Sequence, residues 1–286
     1  MEMNRILFPA PTCLYTEKEI PDLIWIPNSK TTAIPCIFLT PPQGSSKILI
    51  FFHGNAEDLK LSYDLADMLR SVLSVNVLAV EYPGYGLYIG KSKESIILKD
   101  AECVYKFITE EFKFSGKDIL IFGRSIGTGP STYLARHFEV GCLMLMSAYT
   151  SIKAVVRHLA GRFAQMMVKE RFRNIDNMPY IKCPTFIVHG MLDKLIPYTQ
   201  SQILHDRCAG PCALFLPPAM DHNKFDYCDD LVLPMSTFLV QSHIDVRPKE
   251  GQNGLEVQEK YKRPPPVSKK AKKENAKVIK FMMNLT

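Results

Sequence analysis

Short apolar runs rich in β-branched residues alternate with longer stretches of helical periodicity throughout residues 1–246. This alternation is typical of strand–helix–strand units, and most of the later runs lack polar positions, as parallel strands covered on both faces require. We therefore predict a mostly parallel sheet of about eight strands with helices on both faces. The predicted strands are Leu23–Ile26, Pro35–Thr40, Lys47–Phe52, Val75–Glu81, Asp118–Phe122, Cys142–Met146, Thr185–His189 and Cys212–Leu216. The predicted helices cover about residues 57–73, 93–113, 127–138, 198–207 and 224–242.

Composition excludes several other classes of protein. The chain has 286 residues, of which 47% are hydrophobic and 22% charged, so it is neither disordered nor collagen-like. Its eight cysteines contain no C-x-x-C pair, and we expect no zinc site. The sequence shows no secretory leader and no run of about 18 apolar residues. We expect a cytoplasmic protein, monomeric or weakly associating, that needs no cofactor.

Charge divides the chain near Asp245. Residues 247–286 hold 11 Lys and Arg against four Asp and Glu, whereas residues 1–246 hold 24 against 25. The C-terminal part has few large apolar residues, so we predict one folded domain over 1–246 and a disordered basic tail over 247–286. The tail could contact an anionic membrane surface, bind an import receptor, or simply remain solvated. A nucleic acid partner is not expected. The residues in question are Lys269, Lys270, Lys272 and Lys273, followed by a candidate amphipathic helix over 276–286.

Chemically informative residues follow three of the predicted strands. In sheets of this kind the site lies beyond the carboxyl ends of the strands. Ser125 lies in the sequence GRSIG after the fifth strand, Asp193 follows the seventh, and His222 follows the eighth. Serine, acid and histidine in that chain order are typical of an α/β-hydrolase triad.

The chemistry of a serine nucleophile explains these residue types. A serine hydroxyl needs an imidazole to take its proton, and the imidazole needs a carboxylate to fix its tautomer. We predict Ser125 as the nucleophile, His222 as the base and Asp193 as the orienting acid. For the oxyanion we predict the backbone N–H groups of Ile126 and Asn55, assisted by the dipole of a helix expected from Gly127 onward. Gly123 and Gly127 would let the strand and this helix approach closely.

Each of these residues also has a purely structural interpretation. A G-x-S-x-G match arises by chance on the order of once in ten chains of this length, and a serine there could be a turn or cap residue. Asp193 could be an ordinary loop residue, although Asp221 and Asp226 lie too close to His222 in sequence to replace it. His53 and His189 each precede a glycine and are expected to shape turns.

Two glycine-containing segments do not form nucleotide sites. Gly84-Tyr85-Gly86 followed by Gly90-Lys91-Ser92 lacks the glycine that a phosphate loop needs five places before Gly90. The glycines around Ser125 do not fit the dinucleotide-binding spacing either. Neither a nucleotide nor a metal is expected.

Six segments of the chain together resemble a known family. Over about residues 5–242 the sequence is similar to the α/β-hydrolase-domain-containing protein 17 group, serine hydrolases that include protein depalmitoylases. The resemblance implies a thioester or ester hydrolase with the α/β-hydrolase fold and the same three triad residues. Depalmitoylases of the group carry an acylated N-terminal cysteine cluster, whereas this N-terminus offers only Cys13. The segments are FFHGNAEDL, VEYPGYGLY, GRSIGTGPSTYLA, SAYTSIKAVV, CPTFIVHGMLDKLIP and DHNKFD.

A small lid is predicted at about residues 150–180. Its apolar residues have the spacing of an amphipathic helix that would either roof an acyl-binding groove or pack on the sheet. A short lid over an accessible serine suits a long acyl group on a protein, so we expect an acyl-protein thioesterase working through an acyl-enzyme. A lipid esterase of the monoacylglycerol type and a non-catalytic membrane- or RNA-associated scaffold are the alternatives. The apolar residues are Val155, Val156, Leu159, Phe163, Met166 and Met167.

Overall fold

The computed structural model describes residues 7–247 and 255–265. Its eight strands form one sheet in the order β1-β2-β4-β3-β5-β6-β7-β8, in which β1–β2 and β2–β4 are antiparallel and the other neighbours are parallel. All eight predicted strands are present, with ends that differ by one or two residues. The strands are β1 Leu23–Pro27, β2 Ala33–Leu39, β3 Ile48–Phe52, β4 Asn76–Val80, β5 Ile119–Arg124, β6 Cys142–Met146, β7 Thr185–Val188 and β8 Cys212–Phe215.

Seven α-helices connect or flank these strands in the described ranges: α1 Tyr63–Leu73, α2 Glu94–Glu110, α3 Thr128–His137, α4 Ile152–Met167, α5 Asn174–Asn177, α6 Thr199–Arg207 and α7 Leu233–Gln241. Two of them begin more than five residues later than expected, and the other predicted helices begin one residue late. The N–H of Leu61 donates to the Asp58 carboxylate, and this turn delays α1. The Asp226 carboxylate accepts two backbone N–H groups and starts a π-helical turn over Tyr227–Val232, so α7 begins only at Leu233. None of the helices in residues 7–247 and 255–265 is long and apolar enough to span a bilayer.

The sheet is covered on both faces, which explains the lack of polar alternation in its strands. On β3, Ile48, Ile50 and Phe52 belong to one buried cluster, and Leu49 and Phe51 belong to the other. All five side chains are buried, so the central strand has no polar position to offer. The fold that the sequence predicted is confirmed.

Residues 255–265, which the sequence predicts to belong to a disordered tail, pack on the body. Tyr261 is buried, lies edge-on to Phe107 at a centroid distance of 4.8 Å, and donates to Glu111 at 2.7 Å. Leu255 and Val257 add apolar contact beside it. The aromatic ring and its neighbours bury enough apolar area to order this segment despite the polar composition around it. The lysine cluster at 269–273 and the candidate helix at 276–286 lie outside the described residues.

Candidate active site

Ser125 lies at a strained corner between β5 and α3. Its φ is 52°, in the left-handed region that non-glycine residues rarely adopt. A Cβ on Gly127 would lie 2.1 Å from the carbonyl oxygen of Phe52, and a Cβ on Gly123 would lie 2.3 Å from Ser131 Oγ. Both positions therefore require glycine, for the reason expected from the sequence. The corner itself is a short 3-10 turn over Ser125–Gly127, and the α-helix begins one residue later than expected, at Thr128.

His222 and Asp193 form a buried pair. His222 Nδ1 lies 2.7 Å from Asp193 Oδ2, while Asp193 Oδ1 accepts the N–H groups of Leu195 at 2.9 Å and Ile196 at 2.8 Å. Because the carboxylate accepts a hydrogen bond from Nδ1–H, the other ring nitrogen, Nε2, is left as the acceptor in the neutral imidazole. This is the tautomer that a general base requires.

A second histidine contacts the same carboxylate. His189 Nε2 lies 3.2 Å from Asp193 Oδ2 and 2.8 Å from the carbonyl oxygen of Ile196, and its Nδ1 lies 2.7 Å from Ser201 Oγ. Burial raises the pKa of Asp193, but hydrogen bonds from His189 and His222 outweigh burial and hold the pKa well below its ordinary value. Asp193 therefore remains ionised. His189 is more than the turn residue that the sequence suggested.

Ser125 and His222 both line one large cavity of about 850 Å³. Asn55 and Ile126 line it as well, whereas Asp193 lies behind His222, outside the lining. Four of the five predicted site residues thus line one cavity, and the fifth, Asp193, contacts His222.

The side chain of Asn55 is fixed from both sides of its amide. Its Nδ2 donates to the carbonyl oxygen of Leu7 at 2.9 Å, and its Oδ1 accepts the Tyr85 hydroxyl at 2.6 Å. Because both bonds are to the side chain, they hold the loop after β3 and leave the backbone N–H of Asn55 for other partners. The two partners, the backbone of Leu7 and the side chain of Tyr85 in the loop after β4, lie 48 and 30 residues away in the chain. Neither partner is identifiable from the sequence near Asn55.

A buried histidine–glutamate pair also holds the loop after β3. His53 Nε2 lies 3.0 Å from Glu81 Oε1, and Nδ1 lies 2.9 Å from the carbonyl oxygen of Gly54. Both side chains are fully buried. Glu81 also accepts the N–H of Leu59 at 3.1 Å, which ties the far end of the loop to β4. As the sequence suggested, His53 shapes a turn, and Glu81 is the partner that the sequence did not reveal. No group of three or more His, Cys, Asp or Glu in the described ranges is arranged to hold a metal ion.

Arg124, directly before Ser125, connects the two loops that flank the serine. One guanidinium nitrogen donates to the carbonyl oxygen of His222 at 2.9 Å and to Asn223 Oδ1 at 3.0 Å, and the other pairs with Glu57. Glu57 in turn accepts the N–H of Gly54 at 3.0 Å. Arg124 is buried, and burial lowers the pKa of its guanidinium. The local sequence gives no sign of this role of Arg124, because its partners lie far from it in the chain.

Helix α4 forms the roof of the cavity, and Gly161 divides it into two parts. Gly161 has a φ of 82° and a non-helical ψ, so the segments before and after it are not coaxial. Val155, Val156 and Leu159 line the cavity as expected for a roof. Phe163 and Met166 do not line it and are exposed, so these two residues fit neither of the two expected roles, roofing the groove or packing on the sheet.

The sheet order and the position of the serine corner define the class of this protein's fold, which is the α/β-hydrolase fold. An esterase of Pyrococcus furiosus, Pf2001, superposes with a TM-score of 0.60 at 17% identity, covering 82% of this chain and 97% of that chain. At this identity the likeness concerns the fold. No protein-family model matches the chain.

The chain is also similar in sequence to proteins named α/β hydrolase domain-containing protein. Human α/β hydrolase domain-containing protein 17B is 27% identical over 230 residues, which are 80% of this chain and 79% of the relative. The protein aho-3 of Caenorhabditis elegans, also named an α/β hydrolase domain-containing protein, is 30% identical over 193 residues, which are 68% of this chain and 57% of the relative. The resemblance to the domain-containing protein 17 group is confirmed, and so is the prediction of a hydrolase.

Proposed function

We propose that the protein is a serine hydrolase that cleaves thioesters or esters of long-chain acyl groups, with acyl-protein thioesters as its preferred substrates. The observation that carries this proposal is the position of Ser125 on a strained corner, facing a cavity that His222 also lines, with Asp193 bonded to His222 at 2.7 Å. The group named by the relatives supports the same reaction class.

The proposed reaction proceeds through an acyl-enzyme. Ser125 Oγ attacks the thioester carbonyl carbon while its proton passes to Nε2 of His222, and Asp193 stabilises the resulting imidazolium. The C–S bond then breaks, and the thiolate leaves with the proton from Nε2. Water repeats the sequence on the acyl-serine, giving the fatty acid and free Ser125.

The oxyanion of each tetrahedral intermediate would be bound by the backbone N–H groups of Ile126 and Asn55. Ile126 follows the nucleophile in the 3-10 turn, and Asn55 lies in the loop held by Tyr85 and the Leu7 carbonyl group. Rigid donors stabilise the developing charge without a reorganisation cost at the moment of reaction. The anchoring of this loop from several elements therefore supports the proposed role.

The cavity lining supports a long acyl chain as the bound group. Most lining side chains are apolar, and they come from the roof helix and from the loops after β3, β6 and β7. A cavity of about 850 Å³ is at the upper end of the range for small-molecule sites and has room for an extended alkyl chain. The principal apolar lining residues are Ile152, Val155, Val156, Leu159, Met167, Val168, Leu195 and Ile196.

The test is a comparison of kcat/KM for three substrates: an S-palmitoyl peptide, monopalmitoylglycerol and a soluble acetyl ester. We expect the acyl-peptide thioester to give the highest value and Ser125→Ala to abolish all three activities, while the surface variant Ser71→Ala behaves as wild type. Preference for the glyceride would identify a lipid esterase instead. Much faster hydrolysis of the acetyl ester than of the thioester would contradict the proposal.

A further inference from the structure

The outer face of the roof carries large apolar side chains in water. In the helical segment after Gly161, Arg162, Phe163 and Met166 share one face, and Ala164 and Met167 on the other side line the cavity. Phe163 is 85% exposed and Met166 is 73% exposed. Side chains of this size are seldom left so exposed together unless the surface meets a partner.

The lid segment that carries these side chains is strongly cationic, although the body as a whole is not. Residues 152–173 contain six Lys and Arg and one acid, Glu170, whereas residues 1–246 hold 24 basic and 25 acidic residues. Glu170 pairs with Arg173. Among the residues that the structure describes, no carboxylate lies within ion-pair distance of Arg157, Arg162 or Lys169.

We propose that this surface, the lid patch of Arg157, Arg162, Phe163 and Met166, docks on an anionic phospholipid bilayer. Exposed aromatic and apolar side chains alternating with cations are typical of helices that lie in a membrane interface. Phe163 and Met166 would enter the acyl-chain boundary, and the two arginines would contact anionic headgroups. A Cβ built on Gly161 meets no atom within 4 Å, so the kink between the two helical segments faces open space.

The position of the patch relative to the cavity favours a bilayer over a protein partner. Leu159 and Met167 line the cavity and are also exposed, at its mouth beside the patch. This step rests on the proposed function. A docked lid would let a long acyl chain pass from the hydrocarbon layer of the membrane into the cavity without crossing water. Chain transfer of this kind avoids exposing the apolar surface of the acyl chain to water.

The test is co-sedimentation of the full chain with vesicles of phosphatidylcholine alone and with about 30 mol% phosphatidylserine. Because the tail at 269–273 is also basic, every lid variant is made both in the wild type and in a chain with Lys269, Lys270, Lys272 and Lys273 changed to Gln. We expect the tail-neutralised protein still to bind the anionic vesicles. In that background, Phe163→Gln with Met166→Gln should weaken binding about tenfold, and Arg157→Gln with Arg162→Gln should do so by a similar factor, about tenfold.

Matched controls separate the patch from general surface effects. Val240→Gln removes an apolar side chain that is 69% exposed on α7, and Lys99→Gln with Lys106→Gln removes two charges on α2. These variants should bind as the parent does. In addition, Phe163→Trp should show a fluorescence blue shift with anionic vesicles, and Val240→Trp should show none. None of the four patch residues lines the cavity, so hydrolysis of a soluble acetyl ester should be unchanged in the lid variants.

Three results would overturn the docking proposal. These are unchanged vesicle binding in both lid variants, complete loss of binding on tail neutralisation alone, and lid-dependent binding to an acidic polyglutamate peptide without binding to vesicles. Since vesicle binding needs no turnover, its failure is distinct from failure of the proposed function. A chain that binds through the patch and hydrolyses no thioester would contradict the catalytic proposal only.

Discussion

The guanidinium group of Arg124 donates to the carbonyl oxygen of His222 at 2.9 Å, so the residue before the candidate nucleophile holds the loop that carries the candidate base. Its second partner, Glu57, holds the N–H of Gly54 in the opposite loop. One buried side chain therefore sets the spacing between the proposed base and the proposed oxyanion donors.

We expect Arg124→Gln to lower kcat at least tenfold with a smaller change in KM, because the loops would lose their common anchor. It should also cost about 3 kcal/mol of stability by leaving the Glu57 carboxylate unpaired. The measurement is a double-mutant cycle with Glu57→Gln, using urea denaturation and steady-state kinetics. The double variant should recover stability and not kcat. Full recovery of kcat in the double variant would show that Arg124 acts through stability alone.

Gly127→Ala should destabilise the fold by about 3 kcal/mol, since a Cβ there would overlap the carbonyl group of Phe52 at 2.1 Å. Gly161→Ala is the matched control. Its φ of 82° is unfavourable for alanine, yet its Cβ would meet open space, and the expected cost is about 1 kcal/mol. Urea denaturation measures both. Equal losses would mean that crowding at the serine corner is not what requires glycine.

Asp193→Asn should reduce kcat by about 10⁴-fold, because the amide would favour the wrong tautomer of His222. It should also change the pH dependence of stability. The pKa of Asp193 is lower in the folded chain than in the unfolded chain, so the unfolded state binds the extra proton and wild-type stability falls as the pH drops below about 5.

The free energy of unfolding, measured from about pH 6 to pH 3, should therefore fall more steeply for the wild type than for Asp193→Asn. His205→Asn, at an exposed position on α6, serves as the control and should follow the wild-type curve in shape. Parallel curves for the wild type and Asp193→Asn would contradict the assignment of an ionised, hydrogen-bonded carboxylate at 193.

Val156→Trp should shorten the acyl chain that the enzyme prefers, because Val156 lines the cavity beneath the roof. A larger side chain would occupy space that a long chain needs and leave the reacting carbonyl group unaffected. The measurement is kcat/KM for a series of acyl esters from acetyl to palmitoyl. Val72→Trp, on the exposed side of α1, should leave the profile unchanged. An unchanged profile for Val156→Trp would mean that the chain lies elsewhere.

Sequence patterns predicted the sheet well because its strands are continuous apolar runs buried on both faces, as in Ile48–Phe52. They predicted Ser125, Asp193 and His222 because chain order and strand ends carry that information. The contacts of Arg124 with Glu57 and with the His222 loop involve partners 67 and about 98 residues away in the chain, and such pairings have no periodicity that a pattern can detect.

The lid departs from its sequence pattern because its helix is interrupted at Gly161. Helical spacing placed Phe163 and Met166 on the apolar face with Val156, but a left-handed φ at Gly161 breaks the periodicity between them. Likewise, Tyr261 lies in a stretch of tail-like composition, and its burial depends on an aromatic contact with Phe107 that composition does not reveal.

The most direct test of the central claim is fluorophosphonate labelling of the full chain, followed by mass spectrometry of the modified peptide. We predict one stoichiometric adduct on Ser125, lost in Ser125→Ala and strongly slowed in His222→Asn, with Ser71→Ala labelled as the wild type. Absence of labelling in the wild-type protein, or an adduct on any other residue that persists in Ser125→Ala, would contradict it.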